Sequence, residues 1–202
     1  MYPIYHYDLE QGSEEWFIMR KGKMTASHGQ EIGNNGKGLE TYIISLMSEF
    51  YSRADKEHFS NGDTDRGNEL EDQAASIYSF NNEFEVRKIG FIEYSEYSGC
   101  SPDRLVGEDG LIEIKCPKDE VYFLYLLYKE KVIESKYIWQ MQMLLLITGR
   151  KWCDFVAYNP NYPESIFIYR IYPDPDKFKK LLIGLEMGEE KIKAIKKIIN
   201  KN

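Results

Sequence analysis

Asp103 follows Pro102, and ten residues further on Glu113, Ile114 and Lys115 stand in a row. Two acids and an ammonium at this spacing suit phosphodiester hydrolysis. That reaction needs hard oxygen ligands for Mg²⁺ or Mn²⁺, a water in line with the leaving oxygen, and positive charge where the pentacovalent phosphate becomes more negative. Asp103 and Glu113 supply ligand oxygens, the Ile114 carbonyl assists them, and Lys115 positions or deprotonates the water and stabilises charge. Alternation along a strand sends Glu113 and Lys115 to one face and Ile112 and Ile114 to the other. A turn at Gly107 to Gly110 would return the chain beside that strand, so a hairpin brings the three polar groups together. The two carboxylates are expected to be exposed and to repel each other without metal. The competing reading is a solvated strand with alternating Glu and Lys, because motifs this short often match by chance.

The elements that must position these groups are legible from periodicity. Leu39, Tyr42, Ile43, Leu46, Met47 and Phe50 have the three-and-four spacing of an amphipathic helix over Leu39 to Phe50, and Asp65 to Phe80 reads as a second helix. Glu85 to Tyr94, Leu111 to Cys116, Trp152 to Tyr158 and Ser165 to Tyr172 are short and rich in β-branched or aromatic residues, as strands are. Val121 to Tyr128 and Ser135 to Thr148, the latter stopped by Gly149, are predicted helices packed on that sheet. Asp174 to Asn202 is predicted as a C-terminal helix whose Lys191, Lys193, Lys196, Lys197 and Lys201 follow Glu186, Glu189 and Glu190, an order that suits the helix dipole and a solvated face. Loop signals fall at Gly33 to Gly38, Ser60 to Asp65, Asn81 and Asn82, Gly107 to Gly110, Asn159 to Pro163 and Pro173 to Pro175. The expected architecture is α/β: one domain over 1–202 with a mixed central sheet of four or five strands flanked by helices, and catalysis at one sheet edge.

The bulk properties narrow the function classes. A chain of 202 residues with 43% hydrophobic and 14% aromatic content can close one sizeable core. A net charge of -7 excludes a protein that coats nucleic acid by indiscriminate electrostatics, since phosphate binding needs a local excess of Lys and Arg. Clustered carboxylates that repel phosphate when empty attract it once divalent ions sit between them. Cys100, Cys116 and Cys153 lack paired CxxC spacing and read as reduced thiols. With no secretory leader and no membrane-length apolar run, the expected location is the cytoplasm, that of the host if the protein is phage-encoded. His6, His28 and His58 are not at ligand spacing and read as incidental.

Five segments from about Gln11 to Pro160 together resemble one family in order. WFIMRKGKMTAS (Trp16 to Ser27), RGNELEDQAASIYSF (Arg66 to Phe80), CSPDRL, IEIKCP and YIWQMQMLLLITGRKWCDFVAYNP are similar to the segments of the lambda exonuclease-like, YqaJ-type alkaline exonucleases of phage recombination, a branch of the PD-(D/E)xK superfamily. The resemblance implies a restriction-endonuclease-like core, in which Glu71 joins Asp103, Glu113 and the Ile114 carbonyl around two Mg²⁺ or Mn²⁺ ions and Gln140 reaches the active site. Without it, acids at a helix start need only the dipole as explanation. Gln142 reads equally well as a satisfied buried amide.

The resemblance further implies a pocket of Arg20, Ser27 and Ser101 for the 5′-phosphate of the digested strand, in keeping with forked guanidinium contacts and neutral hydroxyl donors. Ser27 also reads as a helix N-cap and Ser101 as a turn residue before Pro102. Trp16 reads as a core anchor more than a base-stacking platform. Arg104 departs from the family, which usually has Gly after the Pro-Asp pair. Contact with DNA, or a pair with Glu108 or Asp109, is expected of it. The implied activity is 5′ to 3′ digestion of one strand of double-stranded DNA from an end, giving mononucleotides and 3′ overhangs, by a ring-shaped homotrimer beside a single-strand annealing protein. An endonuclease on the same core and a non-catalytic DNA-end-binding module are the alternatives.

Overall fold

The computed structural model describes residues 2–53 and 62–201. Two sheets carry the chain. The first, ordered β1-β4-β5-β2, pairs β1 (Ile4–His6), β4 (Phe91–Ser95) and β5 (Ser98–Cys100) antiparallel and adds β2 (Met24–Thr25) parallel to β5. The second is mixed and five-stranded: β3 (Val86–Arg87), β6 (Arg104–Val106), β7 (Gly110–Lys115), β8 (Trp152–Tyr158) and β9 (Ile166–Ile171) lie side by side in that order. Only β7 and β8 run parallel there. The expected α/β architecture with a mixed sheet flanked by helices is the one observed, with two differences. The stretch Glu85 to Tyr94 is not one strand, because it breaks around Gly90 and delivers β3 and β4 to different sheets. A Cβ on Gly90 would sit 2.0 Å from the Leu9 carbonyl oxygen, so the close approach of the N-terminal segment requires glycine there. The second difference concerns β7, the strand of Glu113 and Lys115, which is the middle of the five rather than an edge.

The helices cover both faces of the five-stranded sheet. α4 (Gly62–Asn82) places Leu70, Ala74, Ala75 and Tyr78, at helical i, i+4, i+5, i+8 spacing, on one face against Ile112, Ile114 and Val156. α5 (Asp119–Tyr128) and α6 (Ser135–Thr148) pack on the other with Tyr122, Tyr125, Trp139, Met143 and Leu144, meeting Leu111 and Phe155. Gly149 ends α6 with φ of 67°, the left-handed cap anticipated from sequence. The loop signal at Ser60 to Asp65 falls partly outside the described residues, as does His58, and its described part belongs to α4.

The N-terminal third adds α1 (Glu14–Arg20), a 3-10 turn at Ala26–His28, α2 (Gly29–Asn34) and α3 (Lys37–Tyr51). α7 (Pro175–Ile199) is capped by the Asp174 side chain and lies on α2 and α3. A Cβ at Gly184 would come within 1.9 Å of the Ile32 carbonyl oxygen, so α7 can approach α2 only through glycine. Lys191 and Lys193 pair with Glu40 and Glu189, while Lys196 lies 4.6 Å from the Tyr97 ring. Among the described residues no helix is long and apolar enough to cross a membrane.

Candidate active site

The hairpin β6–β7 forms as the Gly107 to Gly110 turn suggests. Gly107 adopts φ of 49°, and one nitrogen of the Arg150 guanidinium donates to the carbonyls of Val106, Gly107 and Gly110 at 3.3, 3.0 and 2.7 Å. Arg150 thus staples the turn that returns Glu113 toward Asp103. Asp103 Oδ2 accepts the Ile114 amide hydrogen at 2.5 Å, which fixes the acid at the end of the central strand. Upstream, the Gln11 amide donates to the Pro102 carbonyl at 3.0 Å and holds the segment before Asp103.

Strand alternation places Glu113 and Lys115 on the α6 side, as expected, with Ile112 and Ile114 in the core beneath α4. The expectation of exposed carboxylates fails. Glu113 is 1% exposed, because α6 covers it; its Oε1 accepts from Lys115 Nζ and from the Gln140 amide, each at 2.5 Å. The structure thus brings Gln140 into contact with Glu113. Lys115 also lies 5.3 Å from the Tyr137 ring centroid, one helical turn from Gln140. The other Glu113 oxygen, Oε2, is buried and has no hydrogen-bond partner.

Burial, reinforced by the Asp103 charge, pushes both Glu71 and Glu113 up to about 7. Burial raises Asp103 as well, against the pull of Lys115 and the Ile114 amide. Burial opposes the charged form of Lys115, but the Glu113 and Asp103 carboxylates outweigh it and hold the ammonium firmly protonated. Glu71 is thus within electrostatic reach of Asp103 and Lys115, bringing together the three acids of the expected set.

Arg104 is a correction. It is 6% exposed, and instead of meeting Glu108 or Asp109 it points to α4, where it donates to Glu71 Oε1 at 2.8 Å and to Asp72. Its partner at Arg104 NH1 is also the Asp103 carbonyl at 2.5 Å. Asp109 pairs with Lys151 instead. The reason is strand alternation: Arg104 opposes Ile112 in the register, so both face the α4 layer.

Among the described residues no group of three or more His, Cys, Asp or Glu is arranged to hold a metal ion. Two of the acids are each paired with a cation of the chain, Glu71 with Arg104 and Glu113 with Lys115. The donor set nonetheless suits a hard cation. An orphaned, buried carboxylate oxygen calls for a ligand, and oxygen donors from acids are those that Mg²⁺ and Mn²⁺ take.

A second cluster adjoins the hairpin. Arg20, Ser27, His28 and Tyr42 line a cavity of about 1170 Å³ with Trp16 in its wall. The Trp16 indole N–H donates to the Gly90 carbonyl at 2.9 Å and to Ser101 Oγ at 3.1 Å, while the Arg20 guanidinium lies 4.0 Å from the Trp16 ring centroid and donates to the same Ser101 Oγ at 3.2 Å. Ser101 is thereby tied to Arg20. Ser27 is exposed, shares a hydrogen bond with Thr25 at 3.1 Å and caps no helix, since His28 precedes α2. Trp16 organises this cluster, a role that its reading as a core anchor misses; a Trp four residues before an Arg on a short helix was the available signal. His28, read as incidental, stacks on Tyr42 with centroids 3.9 Å apart in the same cavity.

Gln142 has a structural role. Its amide donates to the Tyr172 carbonyl at 2.8 Å and accepts from the Asp174 amide at 2.9 Å, locking α6 to the start of α7.

Residues 15–151 match the model of the YqaJ-like viral recombinase domain. No curated protein matches the chain. Among solved structures, the alkaline exonuclease LHK-Exo of Laribacter hongkongensis is 31% identical, with 94% of this chain and 99% of that one covered and a TM-score of 0.78. The same enzyme in complex with dAMP is 32% identical over the same shares, with a TM-score of 0.77. A phage-related exonuclease from Haemophilus somnus 129PT, 18% identical over 88% of this chain and 96% of that one, shares the fold with a TM-score of 0.70. By the domain match and by its likeness to LHK-Exo, the chain belongs to the family of YqaJ-like viral recombinase domains.

Proposed function

We propose that this chain is a metal-dependent 5′ to 3′ exonuclease that digests one strand of double-stranded DNA from an end, releases mononucleotides and leaves 3′ overhangs for recombination. The observation that carries this reading is the segment Ser101-Pro102-Asp103. Its first residue is bonded to Arg20 and Trp16 in the cavity, and its last is bonded to the catalytic strand. Two residues span at most about 7 Å, against a rise of about 3.4 Å per nucleotide in one DNA strand. A terminal phosphate at Ser101 therefore lies within one or two nucleotides of a bond cut at Asp103. The likeness to the alkaline exonuclease LHK-Exo, whose structure is also known in complex with dAMP, supports the same reading.

Each residue has a part. Trp16 and Arg20 both donate to Ser101 Oγ and occupy its acceptor positions, which leaves the hydroxyl hydrogen for a phosphate oxygen. Arg20 adds charge-assisted hydrogen bonds that favour a doubly charged terminal phosphate over an internal diester, and Ser27 opens into the same cavity. Asp103, Glu113, the Ile114 carbonyl and Glu71 would hold two Mg²⁺ or Mn²⁺ ions, which when bound supply an activated water and stabilise the leaving oxygen. Lys115, kept as an ammonium by its acidic neighbours, orients the attacking water and offsets charge on the phosphate rather than accepting a proton. Gln140 steadies Glu113. In the same reading, 1–202 is one nuclease domain acting in the cytoplasm as a homotrimeric ring on DNA ends, beside a single-strand annealing protein.

The test is a linear duplex labelled at either end, incubated with Mg²⁺ beside a closed circle. Loss of label from the 5′ end as mononucleotides with an intact circle is expected; ready cutting of the circle would establish an endonuclease instead.

A further inference from the structure

Arg104 is out of place for a nuclease that gathers cations around acids. Its guanidinium is buried, fully charged and already engaged with Glu71, one of the residues assigned to metal. A divalent ion using Glu71 must take that carboxylate from a fixed resident cation. The exchange is feasible because the guanidinium has other partners. If Glu71 turns away, Arg104 retains Asp72 and the Asp103 carbonyl, so no buried charge is stranded. Glu71 has room to turn, its side chain being 28% exposed against 7% for Arg104. Asp103 and Glu113 are placed differently. Arg104 makes no side-chain bond to either, and Glu113, although Lys115 and Gln140 hold its Oε1, presents an unpartnered Oε2.

We propose that Arg104 is a latch on Glu71, which holds this carboxylate in the metal-free protein and makes ion binding sequential, with the Asp103–Glu113 position filling first and the Glu71 position last and more weakly. The proposal rests on the metal-dependent reading above and deepens it. It assigns Arg104 as a positioning residue that sets the divalent-ion concentration at which the full site assembles.

Calorimetric titration of the intact chain with Mn²⁺, without DNA, tests it. Wild type is expected to bind one ion tightly and another weakly. Arg104→Gln should tighten the weaker ion by about tenfold or more, since a unit charge a few ångströms away is removed, and change the tighter one by clearly less, because Arg104 bonds the Glu71 carboxylate but only the backbone carbonyl of Asp103. Arg104→Lys, which keeps the charge, should stay near wild type. Unchanged or weaker binding of the second ion by Arg104→Gln would show that the guanidinium only orients Glu71, and would overturn the latch while the metal reading stands. A wild-type chain that takes up no Mn²⁺ would overturn both. Should Arg104→Gln fail to fold, NMR of the Arg104 guanidinium in wild type decides: its signals should shift on the second equivalent of Mg²⁺ and not the first, and movement with neither would refute the latch.

Discussion

The cavity beside Arg20 and the hairpin that carries Asp103, Glu113 and Lys115 are joined by one short segment, yet in the proposed reading they await their ligands in opposite states of preparation. In the cavity, Trp16 and Arg20 already converge on Ser101, and the guanidinium rests on an indole face rather than on an acid. At the hairpin, acids gathered at the strand end have been matched to cations from the chain itself, Lys115 on Glu113 and Arg104 on Glu71. A pocket for an anion can be preorganised empty because its donors are few and can be held by neutral partners. A pocket for cations concentrates like charge, so internal cations or raised pKa values must stand in until the ligand arrives.

The strongest way to break this contrast is to remove a metal-site acid. Asp103→Ala or Glu113→Ala should reduce hydrolysis to below about a hundredth of wild type, as expected for a lost metal ligand. Because loss of Glu113 also takes the acceptor from Lys115 and Gln140, Glu113→Gln, which keeps an acceptor oxygen there, is the matched control, and circular dichroism should show it folded. Retention of more than that fraction would remove the assignment. Lys115→Ala should cost about a hundredfold in turnover, comparable to losing one transition-state donor, while Mg²⁺-dependent DNA binding persists. Impaired binding with normal turnover would reverse its role.

On the cavity side, wild type should degrade 5′-phosphorylated duplex faster than the 5′-hydroxyl form. Arg20→Ala should narrow that preference by roughly ten- to a hundredfold, the 1.5–3 kcal/mol of a hydrogen bond to a charged group. Equal rates on both ends in wild type would end the clamp reading.

The pH dependence sharpens the contrast further. Glu71 and Glu113 titrate near 7, so ions entering the hairpin displace protons below that pH, and Mn²⁺ affinity should fall by about tenfold per pH unit for each proton displaced. The same raised values govern the metal-free protein. Its stability from these groups is present below the ordinary carboxylate range and is lost as pH rises through about 7, so metal-free melting temperatures should decline from pH 5 to pH 8. A flat profile, or a rise, would contradict the burial argument. The smallest effect belongs to Trp16→Phe, which keeps a ring under Arg20 but deletes the N–H to Ser101. About 0.5–1.5 kcal/mol, a few-fold in the 5′-phosphate preference, is expected.

How much of this was legible in the sequence varied with the distance over which the decisive contact acts. Turn glycines and period-two alternation placed Asp103, Glu113 and Lys115 together, because a hairpin is closed by its own residues. Ile112 and Ile114 turned out to face the helix layer for the same reason. Strands of two or three residues such as β2, β5 and β6 were missed, since so short a run has no period to detect. Gln142 remained open between two roles until the Tyr172 and Asp174 backbone was seen to complete its hydrogen bonds.

By itself, then, the sequence determined the chemical inventory, the closure of the β6–β7 hairpin and the buried face of α3, all set by spacings within one turn or one strand. Only the tertiary structure decided that Glu113 is buried beneath Gln140, that Arg104 takes Glu71 rather than Glu108 or Asp109, and that Trp16 holds Ser101 in place. Those contacts join residues 27, 33 and 85 positions apart. Which partner a charged or polar side chain meets at that range depends on how whole elements pack, and local periodicity specifies the face a residue occupies without specifying what lies across from it.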